Sequence, residues 1–322
     1  TRMAAVAVVA AGLVVFAQTP AQTQGTAIPR TSWDRKPDLN GIWQAFVTAD
    51  WDLEDHEGGP SAVAVTGAWG ARLPGMSVVD GGTIPYKPEA LAQREINRKN
   101  ALPGKTGRNL TADPELNCFL PGVPRATYLP HPFQIFQSPN RMWLVYEYSY
   151  ARREVFMNGT KKAPIDSWMG WSNARWDGDT LVIDVSGMND QTWFDRAGNY
   201  HSDALHVVER YTMTAPNLIQ YEATIEDANV FTRPWKMSMP LYRRVEKNAQ
   251  VLQFQCVPFS EELIYGPLLR GPADGGWCVA YQGLCASHAP RAPPRASARR
   301  PPHSRRFGIS PATSHTTSPP PP

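Results

Sequence analysis

The chain has 322 residues, with 32 Lys and Arg against 29 Asp and Glu, for a formal net charge of +3. That excess sits at the ends: residues 286–322 carry six Arg and no acid, so the chain without them is −3, and −4 once Arg2 is also gone. A mildly acidic body gives no electrostatic footprint for nucleic acid. None of the four Cys (118, 256, 278 and 285) forms a Cys-x-x-Cys pair, which leaves zinc ribbons and thioredoxin-like redox sites unsupported.

The first element is a targeting signal. Arg2 precedes an apolar run from Ala4 to Phe16, and Val15-Phe16-Ala17 fits a small-x-small cleavage site. Residues 1–17 therefore read as a secretory signal peptide, too short for the roughly 20 apolar residues a bilayer span needs. The expected location is periplasmic or extracellular, with no stable membrane insertion. Residues 18–285 read as one β-domain, and the Pro-, Ser-, Ala- and Arg-rich residues 286–322 as a tail that is disordered or out of frame.

The domain opens with Asp38-Leu-Asn-Gly-Ile-Trp43, where Gly41 before Trp43 suggests a strand that starts in a tight bend. Residues 50–117 lose periodicity and read as long loop. Within them, Pro88 to Arg98 predicts a short helix, with Pro in the first turn, an acid leading and Arg98 and Lys99 closing. From Arg141 the pattern becomes a ladder of strands at ten- to twelve-residue spacing. The predicted strands are 141–150, 152–157, 168–176, 180–185, 204–213, 218–227, 230–243 and 250–257. Asn158-Gly159, Asp177-Gly178 and Ala215-Pro-Asn217 are the turn signals between them. Along 218–227, Ile219, Tyr221, Ala223 and Ile225 alternate with Gln220, Glu222, Thr224 and Glu226, the period-two pattern of an antiparallel sheet with one buried face. The expected fold is mainly β: an antiparallel meander closing into a lipocalin-like barrel or a strongly curved sheet, with a long irregular N-terminal segment and a short helix.

Four phrases, Asp38-Leu-Asn-Gly-Ile-Trp43, Cys118-Phe-Leu-Pro-Gly-Val-Pro-Arg125, Trp176-Asp-Gly-Asp-Thr-Leu-Val182 and His201-Ser-Asp-Ala-Leu-His-Val-Val-Glu-Arg210, are similar to those of a family of exported, functionally uncharacterised bacterial proteins. The resemblance spans roughly residues 37–260 and implies export, but no activity. The Gly-x-Trp opening, Gly41 to Trp43, also resembles the lipocalin (calycin) superfamily.

Cys118 and Cys256 flank the ladder, and export permits oxidation, so a disulfide between them is expected; two buried free thiols are the alternative. The polar and aromatic loop 189–203 is the foremost site candidate. It offers His201 as a base, Asp195 or Asp203 to orient it, and Trp193 and Tyr200 as a platform. The plainer reading is that His201 and Ser202 cap the next strand. Glu209 and Arg210 sit mid-strand on opposite faces, so one of them points inward and needs a partner.

Three functions are open at this point. The leading one is an exported binding protein for a small organic ligand, with a pocket lined by Trp193, Tyr200, Arg152, Trp171, Glu222 and Trp235. The second is a cofactor-independent hydrolase, isomerase or lyase acting on a sugar or lipid-like substrate through His201, Asp195 and Glu209. The third is a structural envelope protein that uses open sheet edges. No sequence feature calls for a metal or a cofactor.

Overall fold

The computed structural model describes residues 27–60, 71–101, 111–258, 260 and 264. The expected signal peptide, Cys278, Cys285 and the tail lie outside the described residues. Nine strands close into a single barrel in chain order: β1 (Gly41–Ala45), β2 (Phe133–Gln137), β3 (Arg141–Tyr146), β4 (Arg152–Met157), β5 (Trp171–Asp177), β6 (Thr180–Ser186), β7 (His206–Ala215), β8 (Leu218–Glu226) and β9 (Trp235–Arg243). The protein is thus mainly β, as the alternation predicts. Two short helices accompany the barrel, α1 (Pro88–Asn100) and the single turn α2 (Arg125–Tyr128).

Closure sets one condition that strand patterns do not carry. A ring of alternating strands is antiparallel throughout only if the strand number is even; nine strands force one parallel pair. It falls between β4 and β5, with Val155 opposite Ser172, while every other neighbouring pair is antiparallel. Asn158-Gly159 is therefore not a hairpin turn. Those residues begin the connection 158–170, which returns the chain to the end of the barrel where β4 started. The expected strand 250–257 is also absent. β1 pairs with β9, Trp43 opposite Arg243, so no edge is left for another strand to join. In the β5–β6 hairpin the turn is Gly178-Asp179, one residue later than expected, with positive φ only at Gly178.

The two ends of the barrel differ. Short connections, 138–140, 178–179 and 216–217, lie at one end, here the turn end. The long ones, 46–132, 187–205 and 227–234, lie at the other, here the cap end. Outward positions carry Arg152, Arg210, Glu222 and Lys236 and face water. Among the described residues, no helix is long and apolar enough to cross a membrane.

The inward positions make the core. Trp43, Phe133, Val155, Ile183, Val207, Tyr211, Tyr221, Met237 and Leu241 are all within 1% of full burial. A chamber wide enough for an organic molecule would leave water-accessible surface on its walls, and these side chains have almost none. The barrel is filled in the way protein interiors usually are.

Candidate functional site

One polar group interrupts the core. Arg153 of β4 and Glu209 of β7 form an ion pair with both side chains almost wholly buried. Arg153 Nε also donates to Ser172 Oγ of β5 at 2.7 Å, across the parallel seam. The second oxygen of Glu209 accepts from the hydroxyls of Tyr211 (3.0 Å) and Tyr221 (2.9 Å). Burial pushes both phenols well above their ordinary range, so they remain donors. Thr127 of α2 and Arg153 lie beside the Tyr146 hydroxyl and influence its proton. Yet Thr127 Oγ1, Tyr146 Oη and Arg153 Nη1 reach no partner in hydrogen-bond geometry. This cluster ties β4, β5 and β7 together at the parallel seam, where the sheet pairing runs for only three residue pairs between β4 and β5.

The cap is built from α1, α2 and the segments 46–60, 111–124 and 187–205. Its anchor is Arg125, whose guanidinium meets Asp113 at 2.7 Å, Glu115 at 2.9 Å and Asp50 at 3.5 Å. Arg196, from the 189–203 loop, adds Glu115 at 2.8 Å and Asp50 at 3.3 Å. Burial opposes ionisation of Glu115, but Arg196 and Arg125 outweigh it and hold the carboxyl down at about 2. Asp50 goes the other way, up to about 6, because burial and the Glu115 charge exceed the help of the two arginines. α1 docks on the same loop, where Asn97 Nδ2 donates to Gly198 O at 3.3 Å. Gly198 has φ +88°, and a Cβ there would lie 2.7 Å from Arg98 N, so the contact requires glycine.

The three expected catalytic residues do not converge. His201 is buried; its Nδ1 donates to Ser202 O at 2.9 Å, which leaves Nε2 to accept from Thr192 Oγ1 at 2.6 Å. Burial lowers its proton affinity, and its lone pair is already engaged. Asp195 binds no histidine. It accepts from Leu53 N, Ala197 N, Asn199 N and Asn199 Nδ2, and so holds the loop in shape. Burial, aided by the nearby Asp52 charge, still pushes Asp195 up to about 8. Glu209 belongs to the barrel interior. No hydrogen bond or ion pair joins any two of these three among the described residues. The Ser202 hydroxyl is taken by Asp227, which accepts from it at 2.9 Å and from Ser202 N at 2.6 Å, while His201 meets Ser202 only at its carbonyl.

The six expected ligand contacts are also dispersed. Trp235 is core, edge-on to Phe194 (5.8 Å) and Phe231 (5.5 Å). Trp193 and Tyr200 face each other as a bridge in the cap loop, and the Tyr200 hydroxyl donates to Ala90 O at 3.2 Å. Arg152, Trp171 and Glu222 lie on the outer wall, with Trp171 stacked on Phe156 at 4.5 Å. The physical reason is closure: once the barrel fills, inward aromatics pack against one another and outward ones cannot reach them.

A pocket does exist, outside the barrel. After β9 the chain runs back over the outer faces of β1 and β2 as a strap, residues 244–256. Arg244 N donates to Ile42 O at 2.8 Å, Leu252 N to a Glu147 oxygen at 2.9 Å, and the Phe254 ring meets His131 at 4.8 Å. The strap ends in a Cys118–Cys256 disulfide, which joins it to the cap. Between strap and wall lies a pocket of about 340 Å³, with Ile42, Pro132 and Leu252 as apolar surface and Glu147, Arg244, Glu246 and Lys247 as charged groups, Arg244 being paired with Glu246 at 3.0 Å. None of the six expected ligand contacts lines it. The sequence signal that bears on this pocket is the cysteine pair: a bond from Cys256 back to Cys118 requires the chain after β9 to return across the barrel.

Comparison with protein-family models, curated proteins and solved structures finds no match for this chain.

Proposed function

We propose that this chain is an exported binding protein that takes a small polar organic molecule into the pocket between strap and barrel wall. The pocket itself carries this reading. Its volume of about 340 Å³ falls in the range typical of small-molecule sites, about 300–1,000 Å³. It combines an apolar floor with charges of both signs, which suits a ligand bearing its own charged or hydrogen-bonding groups. Lys247 makes no salt bridge among the described residues, so its ammonium is available to an acidic group. The signal-peptide pattern, the likeness to an exported family and the disulfide all support an oxidising compartment outside the cytosol.

Native mass spectrometry of the protein recovered from the cell envelope tests this. The expected result is a retained small molecule that is lost in a Glu147→Ala, Arg244→Ala double variant whose circular dichroism is unchanged. A bare chain mass, with no thermal stabilisation by a panel of amino acids, carboxylic acids and sugars, overturns it.

A further inference from the structure

We infer that the Cys118–Cys256 disulfide is a redox latch on this pocket, so that opening the bond opens the site. The inference rests on the binding reading above for its purpose, but not for its geometry. The strap is the outer wall of the pocket, and little else fastens it. Among the described residues its backbone bonds to the barrel only at its start, Arg244 N to Ile42 O, where the Arg244 side chain also donates to Gln44 Oε1 at 3.1 Å, and its one turn bond, Ala249 N to Glu246 O, is internal. Farther along, the backbone N of Leu252 reaches the Glu147 side chain in the connection after β3, the Phe254 ring rests on His131 and Tyr148, and the Tyr148 hydroxyl lies 3.9 Å from Cys256 Sγ. Val245 and Leu252 are 62% and 59% exposed, so neither anchors the strap by burial. The covalent bond is what holds the far end.

The bond is also within reach. Cys118 and Cys256 are each half-buried, unlike the sealed interior of the barrel, and access is a condition for thiol–disulfide exchange. The reductant is a dithiol. One of its thiolates attacks a sulfur of the bridge and forms a mixed disulfide, releasing the other cysteine as a thiol. Its second thiol then displaces the remaining cysteine. Two electrons and two protons pass to the protein, Cys118 and Cys256 become thiols, and the dithiol becomes a disulfide. Nine strands close without the strap, so the barrel persists while the strap swings away, taking Lys247 and Leu252 out of the pocket and leaving Ile42 and Pro132 behind.

Limited trypsin digestion of the full folded chain tests the latch without any ligand. The rate of cleavage after Lys247 is read by intact mass after denaturation and full reduction. It is compared for the oxidised protein, for the same protein treated with dithiothreitol, and for a Cys256→Ser variant. Cleavage tracks the population of the open form, so the rate is expected to rise about tenfold or more on reduction, with β7 to β9 uncut and near-ultraviolet circular dichroism retained. Equal rates in the oxidised and reduced protein overturn the latch, and so does loss of the whole barrel on reduction. If the Cys256→Ser variant does not fold, the reduced wild type still decides. A strap that opens on reduction, in a protein that carries no ligand when oxidised, keeps the latch and removes only the binding reading.

Discussion

The turn end and the cap end of the barrel are both sealed, but with different chemistry. At the turn end, Leu39 is fully buried and the approach to β1 is pinned by neutral hydrogen bonds. Gln137 Oε1 accepts from Leu39 N at 2.8 Å, and Trp43 Nε1 donates to Leu39 O at 2.9 Å. At the cap end the seal is a buried charge network around Arg125, with Asp50, Asp113 and Glu115. Apolar burial is indifferent to proton concentration and degrades in proportion to the atoms removed. A buried network is poised: complete, and with Arg196 included, it holds four segments together; missing one member, it leaves a desolvated charge.

The largest expected effect breaks the cap. Arg125→Met leaves Asp113 with no cation among the described residues and Asp50 and Glu115 with Arg196 alone, and should cost about 3–5 kcal/mol, read from urea unfolding. A loss below about 1 kcal/mol would mean that the cap relaxes into water, and the contrast between the ends would fail. Leu39→Ala comes next, at about 2–4 kcal/mol, and its cost should be the same at acid and neutral pH.

Proton linkage separates the ends more finely. Asp50 and Asp195 titrate in the folded protein at about 6 and about 8, above the unfolded value of about 4. The folded chain binds those protons more tightly, so this contribution is complete below about pH 4 and is lost as pH rises to about 8. Glu115, held at about 2, contributes above about pH 4.5 and loses that contribution as pH falls toward 2. Stability should therefore peak near pH 4 to 5, measured as urea midpoints across pH. Asp195→Asn should remove the part of the decline above about pH 6. The smallest effect is at the turn end. Arg30→Ala removes a solvent-exposed pair with Asp179 and should leave the unfolding midpoint unmoved within error.

Much of the wall was legible. Period-two alternation placed β6 to β8 to within two residues, and the cues of Pro88 and the closing Arg98 and Lys99 located α1. Asn158-Gly159 misled because a turn signal is local, while the direction of the next strand depends on where the chain goes over 158–170. The site was read least well. His201 beside Ser202 with carboxylates nearby has the composition of a catalytic group, but composition does not say which lone pairs are already taken. Thr192, nine residues earlier in the same loop, takes the one that mattered. Arg125 and Arg196 gave no local sign of importance. Their partners Asp50, Asp113 and Glu115 come from segments without periodicity, whose position only packing fixes.

By itself the sequence determined what the chain makes locally: alternating strands, the turn at Gly178, the helix after Pro88 and, through two cysteines flanking the ladder, the reason for the chain after β9 to return. Those are short-range matters of side-chain period and backbone freedom. Tertiary structure decided the rest. Pairing β1 with β9 removed every edge and forced one parallel seam. Filling the interior turned the expected aromatic lining into core. Folding the strap over β1 and β2 then placed the pocket outside the barrel. Closure is a property of the whole ring, and no segment carries it alone.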